Sequence, residues 1–249
     1  MDAAIFPWLF GFCLVLFRTA GIVVAAPVLS ARMVPLRIRA GIAFALALAA
    51  FVGAGAPQAE PPESLVALMG YALSETVVGL GAGLGARVIL DAALAAGQLA
   101  GVGMGLGFSA IVDPLGGVPS SALGQLFSIV ALGFAVTLGI HREAVVWLAR
   151  SVHDMPPGSA VDIASVAHLL VAHCLTSVAL AVRLAFPILA VVTIGHVALG
   201  LVGRLAPQLN IATLGFSVAI LAGGGAIYLV VPTAAEIAAR MAVEALTRS

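Results

Sequence analysis

Apolar residues run along this chain in long stretches, with few of the polar interruptions that a water-facing helix or strand requires. Crossing the hydrocarbon of a bilayer takes about 20 mainly apolar residues. Six segments are read on that basis: about Ile5 to Ala26, Gly41 to Gly55, Leu65 to about Ile89, Leu123 to Ile140, about Ile163 to Gly203, and about Ile211 to Val231. Arg18 interrupts the first, and Glu75 and Arg87 lie inside the third. The fifth is too long for one simple span, and Pro187, close to Arg183, predicts a break within it. Pro232 is expected to interrupt the last.

The segments between these runs differ in kind. Arg32, Arg37 and Arg39 cluster between the first two, and an acidic, proline-rich turn spans Gln58 to Glu63. The positive-inside rule places the arginine cluster in the cytoplasm, but Arg142, Arg150 and Arg204 fall on alternating sides, so orientation is not set. From Gln98 to Ser121 the chain is apolar yet rich in glycine, a poor helix former. Non-helical backbone at membrane depth has to be buried in protein or line a cavity, which marks this stretch as a functional candidate. Glu143 to Val152 reads as a short amphipathic helix at an interface. Thr233 to Thr247 reads the same way, with Glu236, Arg240 and Glu244 in one polar stripe.

Composition sharpens this picture. Of 249 residues, 62% are hydrophobic and 9% charged, with a mean hydropathy of +1.20. A soluble domain carries roughly 25% charged residues, so lipid is the natural solvent here. The formal net charge is zero, which gives no field to attract nucleic acid. Cys13 and Cys174 sit in apolar runs and read as small hydrophobes rather than a disulfide. Met1-Asp2-Ala3 offers no basic region before the first apolar run, so that run is expected to be a retained span.

The candidate chemistry is sparse. Glu75, Gly79 and Gly83 share a helix face, and Gly81 and Gly85 repeat the spacing. Small residues at that interval let helix backbones approach closely in lipid, and a lone intramembrane acid such as Glu75 is expected to bond a neighbouring helix. Gly81 to Ala86 matches the loose dinucleotide pattern but lies in an apolar helix without a preceding strand, so the match is spurious. The five histidines are scattered; His168 and His173 do not share a face, and no metal or other cofactor is expected. Arg183 and Arg204 read as snorkelling or interhelical groups. The stretch from Arg204 through Pro207 and Asn210 to Gly215 and Phe216 reads as the turn of an antiparallel helical hairpin.

In this order, the stretches resemble the FliR family of flagellar export-gate proteins and the related gate proteins of type III secretion. The resemblance spans nearly the whole chain. It is carried by Arg18, Pro27, Val34-Pro35 with Arg37 and Arg39, Glu75 with Gly79 and Gly83, and Ala96-Gly97-Gln98. It continues through Met104-Gly105-Leu106-Gly107-Phe108, Asp113-Pro114, Gly139-Ile140-His141, Ala206 to Ile211, and Leu214-Gly215-Phe216. Ala212 and Ser217 depart from the family's usual Phe and Pro.

The resemblance implies one membrane domain over 1–249, all-α, of about six apolar helices, some broken, arranged as hairpins that pack into a hetero-oligomeric gate. Residues 1–160 would resemble the FliP-type partner and 161–249 would form a FliQ-like hairpin. A plug over about 101–121 would include Gly101, Gly103, Met104, Gly105, Gly107, Phe108, Asp113 and Pro114. Arg18, Glu75, Gly79 and Gly83 would serve packing and assembly, and Arg204, Pro207, Asn210, Gly215 and Phe216 the hairpin turn. The implied partners are FliP-type, FliQ-type and FlhA/FlhB-type membrane subunits, with unfolded proteins in transit and membrane lipid. The implied place is the bacterial inner membrane, in the flagellar basal body. A small-solute transporter is the alternative, since broken helices near buried charge suit one. A membrane enzyme ranks last, because no nucleophile–base pair or metal set is present.

Overall fold

The computed structural model describes residues 5–27, 35–106, 122–159, 162–205 and 211–248. The described residues form seven helices: α1 Phe6–Ala25, α2 Leu36–Gly53, α3 Leu65–Gly103, α4 Ala122–Thr137, α5 Ile140–Asp154, α6 Ile163–Leu205 and α7 Ile211–Arg248. Five are long and apolar enough to cross a membrane, or six if the bent pair α4–α5 is one span. The chain is an all-α multi-pass membrane protein.

α2 begins at Leu36 rather than Gly41, and three further boundaries differ from the sequence expectation for a physical reason. The third run does not stop at Ile89 but continues as helix to Gly103, through half-buried Gly103 and buried Gly101. Ala96 and Ala100 are fully buried there, and a Cβ on Gly97 would lie 2.6 Å from the Leu123 carbonyl oxygen. Glycine in this stretch admits a close helix, so packing outweighs its poor propensity. The expected break at Pro187 is absent, and α6 is one helix of 43 residues. Proline removes a single backbone bond, whereas breaking the helix in an apolar setting would orphan several. For the same reason α7 runs on through Pro232, so the amphipathic Thr233–Thr247 segment is its continuation.

The helix ends follow from glycine. α3 ends on Gly105, at φ +78°, with Leu106 N–H bonded to the Gly101 carbonyl and Gly105 N–H to that of Val102. This is the Schellman pattern, in which a left-handed residue closes the last turn. Gly55, at φ +79°, closes α2 in the same way. Gly139, at φ +83°, ends α4 and accepts the first backbone bonds of α5, and the two helices meet at 59°. Asp162 caps α6: its carboxylate accepts from Ala164 N–H at 3.1 Å and from the Ser165 hydroxyl at 2.5 Å.

The helices divide into two compact units. The first comprises Met1–Ile89, Ala135–Leu175 and Met241–Ser249, and the second Leu90–Phe134 and Thr176–Arg240. In the first, Phe12 of α1 meets Phe44 and Phe51 of α2 edge to face at 5.5 and 5.6 Å. α5 turns Ile140, Ala144, Trp147, Leu148, Ser151 and Val152 inward and leaves Arg142, Arg150 and Asp154 exposed. The helix is amphipathic as expected, but Val145 and Ala149, apolar in the sequence pattern, lie exposed. In the second unit, α6 and α7 pack antiparallel: a Cβ on Gly195 would touch Val218 at 3.5 Å, and one on Gly215 would touch Leu199 at 3.9 Å.

Candidate functional site

A buried charged cluster lies where α1 crosses α3. The crossing is tight because both helices lack side chains at it. A Cβ on Gly79 would collide with the Arg18 carbonyl, and one on Gly21 would stand 2.6 Å from the Thr76 carbonyl oxygen. Gly83 meets Ala25 and Ala26 one turn further on. The neighbouring pair, Gly81 and Gly85, faces elsewhere, against Val166 and His173 of α6. So α3 uses two interleaved glycine faces for two different helices.

Arg18 and Glu75 sit at this crossing with no exposed surface. Arg18 Nε donates to Glu75 Oε2 at 2.7 Å. Arg18 Nη1 donates to the carbonyls of Ser151 at 2.6 Å and Met155 at 3.0 Å, at the negative C-terminal end of α5. Glu75 Oε1 accepts from Gly158 N–H at 2.9 Å. The pair therefore does more than cancel its own charge. It ties α1, α3, the end of α5 and the following turn into one frame. Arg18 Nη2 is buried without an acceptor among the described residues.

Sequence reasoning singled out Arg18 and Glu75 separately, and the structure brings them together. It missed Ser151, Met155 and Gly158, which act mainly through two backbone carbonyls and one backbone N–H, with the Ser151 hydroxyl a longer acceptor at 3.4 Å. Beside this cluster, a groove of about 400 Å³ is lined by Glu143, Trp147, Arg150, Asp154, Met155 and Thr247.

In the second unit, residues from two distant sequence stretches meet. Gly103, Met104 and Gly105 line a groove of about 420 Å³ together with His196, Gly215 and Phe216. Met104 is almost wholly buried. Its side chain fills the notch left in α7 by Gly223: a Cβ there would stand 2.6 Å from Met104 Cε and 2.7 Å from Sδ. Gly224 and Gly225 have open space beside them, so only the first of the three glycines is required by this contact. Arg204 lies exposed in the last turn of α6. Gly107, Phe108, Asp113, Pro114, Pro207 and Asn210 lie outside the described residues.

Among the described residues no cluster of three or more His, Cys, Asp or Glu could hold a metal ion. The arrangement is one of helix registration rather than of converging reactive groups.

The model of the family described as "Bacterial export proteins, family 1" matches residues 9–245. The chain is similar to the flagellar biosynthetic protein FliR of Escherichia coli (strain K12), 28% identical over 209 residues, covering 84% of this chain and 79% of that protein. It is similar at 28% to the protein of that name from Pectobacterium carotovorum subsp. carotovorum, covering 90% and 85% of the two chains. It is similar at 27% to that of Bacillus subtilis (strain 168), covering 84% and 81%.

Proposed function

The chain belongs to the bacterial export proteins, family 1, and from that premise we propose that it is a structural subunit of the flagellar type III protein export gate. In this reading it helps form and close the channel through which unfolded flagellar proteins leave the cell. It assembles with FliP-type and FliQ-type subunits and meets FlhA/FlhB-type proteins in the inner membrane, within the flagellar basal body. Residues 1–160 take the FliP-like part, 161–249 the FliQ-like hairpin, and a segment of about 101–121 the plug.

One observation carries the reading beyond the family match. α3, α6 and α7 have 39, 43 and 38 residues. At 1.5 Å per residue they are roughly 57–65 Å long, about twice the 30 Å hydrocarbon layer. Large apolar side chains stay exposed along α6 from Ile163 to Leu205. Bringing such a helix inside one bilayer needs a tilt of about 60°, beyond the usual range of up to about 40°. Partner subunits can cover what lipid cannot.

The Arg18–Glu75 cluster fits a structural role. It fixes helix register without presenting a reactive group to a cavity. The transporter alternative drew on broken helices beside buried charge, and α6 and α7 run unbroken past their prolines.

Co-expression with FliP-type and FliQ-type subunits of the same genome, extraction in mild detergent and measurement of particle mass tests the proposal. One large particle containing all three is expected. A stable lone monomer or homodimer that ignores both partners would overturn it.

A further inference from the structure

We propose that the α6 face around Arg183 docks one apolar helix of a partner membrane subunit, and that this helix carries an aspartate or glutamate opposite Arg183. The inference deepens the export-gate reading and rests on it for the existence of partner subunits.

Arg183 stands at the middle of α6, 20 residues after Ile163 and 22 before Leu205. It is exposed, and among the described residues it makes no hydrogen bond or ion pair. Its surroundings are apolar on both sides of the helix. Leu180, Ala181, Leu184, Ala185 and Ile188 are buried inward. Val182 and Phe186, at 52% and 67% exposure, lie on the outer side beside Arg183, and Val178, at 65%, is exposed further round the helix. Pro187 is exposed on that face too, and having no N–H it leaves the Arg183 carbonyl without its helical donor. One residue thus presents a cation unpaired among the described residues, and a carbonyl without its helical donor, in the middle of an apolar face.

Lipid alone cannot cover this face wherever the bilayer sits. Arg183 is about 30 Å from either end of α6, which is the whole thickness of the hydrocarbon. With Arg183 at mid-bilayer, a bare guanidinium faces acyl chains, where charges survive only by pairing or by reaching water. With Arg183 at the headgroups, one half of α6 leaves the bilayer, and its exposed face of Val178 and Val182, or of Phe186 and Ile194, meets water. A protein helix with an apolar surface and one carboxylate resolves both cases. It covers Val182 and Phe186, and it gives the guanidinium a paired, two-pronged acceptor.

The test places a photo-crosslinking residue at Phe186 in the otherwise unchanged chain, co-expressed with its partner subunits. The crosslinked peptide is identified by mass spectrometry. The expected adduct is a membrane helix of another subunit with an Asp or Glu within one turn of the attachment point. R183E is expected to lower recovery of the complex by roughly tenfold or more, as for breaking a buried pair, and reversing the partner's acid to Arg to restore it. Adducts to lipid alone, to a second copy of this chain, or to a segment without an acid would overturn the proposal. Wild-type recovery of the R183E complex would overturn it alone, leaving the gate reading intact. Failure of the unmodified chain to form any complex would overturn the gate reading and this proposal with it.

Discussion

Arg18 and Glu75 stand 57 positions apart in sequence and 2.7 Å apart in the structure, fully buried at the crossing of two glycine-faced helices. The pair is costly to break from one side. Glu75→Ala leaves a guanidinium buried without its counter-charge, a change that costs about 3–5 kcal/mol in comparable pairs. Recovery of the intact complex should fall sharply. Arg18→Leu with Glu75→Leu should lose less than either single change, because no lone charge remains. A double variant worse than both singles, measured by complex yield, would sink this account.

The crossing also depends on absent side chains. Gly79→Ala drives a methyl into the Arg18 carbonyl and should destabilise by about 1–3 kcal/mol. Gly70→Ala, on the same helix but with nothing within 4 Å, should be neutral or stabilising by up to about 1 kcal/mol. Thermal unfolding of the two variants in detergent separates them; equal midpoints would show that the close approach does not matter.

At the end of α3, Gly105 holds the left-handed position that closes the helix. Gly105→Val places a branched side chain there, at a cost of about 1–2 kcal/mol or more. The Leu106 N–H should lose its bond to the Gly101 carbonyl, and cells expressing the complete variant gate should leak small ions. Unchanged conductance would count against a role for this turn in closure.

Met104 and Gly223 form a knob and a notch. Gly223→Ala should push Met104 out, while Gly224→Ala, with open space beside it, should not. Adding Met104→Ala to Gly223→Ala should recover part of the loss, since the colliding atoms are then gone. Hydrogen exchange at the Gly105 and Leu106 amides reports the effect, and identical protection in both alanine variants would refute the coupling.

Asp162 offers a pH test outside the apolar spans. The Ser165 hydroxyl, then the Ala164 N–H, hold its carboxyl below the usual carboxylate value. A depressed folded value means that the cap contributes fully above the unfolded pKa of about 3.9 and is lost as pH falls through the lower folded one. Protection from exchange at Ala164 to Val166, taken against the intrinsic rate at each pH, should therefore fall on acidification. Asp162→Asn should remove that pH dependence; if the acid response persists in the variant, the cap is not its source.

Much of this architecture was legible in the residues. The apolar runs predicted where helices lie, and the glycine spacing in α3 predicted close packing. The Glu143–Val152 segment was legible as an amphipathic helix, but of its apolar Val145, Val146, Leu148 and Ala149 only Leu148 is buried, because the inward side runs through Ala144, Trp147, Ser151 and Val152. The prolines misled, because their cost was weighed for an isolated helix. Pro187 and Pro232 lie in helices whose neighbours and apolar setting make one missing bond cheaper than a break. Gly103 misled for the opposite reason: glycine reads as a helix breaker until a neighbouring helix is close enough to need the space, and a Cβ there would stand 2.5 Å from Leu189 Cδ2.

By itself, the sequence determined the solvent, the helical class and the family, since these follow from local composition and from residue order along the chain. Only the tertiary structure decided which glycine face of α3 meets α1 and which meets α6, that Arg18 pairs with Glu75 and also caps α5, and that Met104 seats at Gly223. Those facts depend on which surfaces approach within a few ångströms. In lipid that choice rests on close packing and buried polar pairing rather than on the hydrophobic pattern, which is nearly the same on every side of these helices.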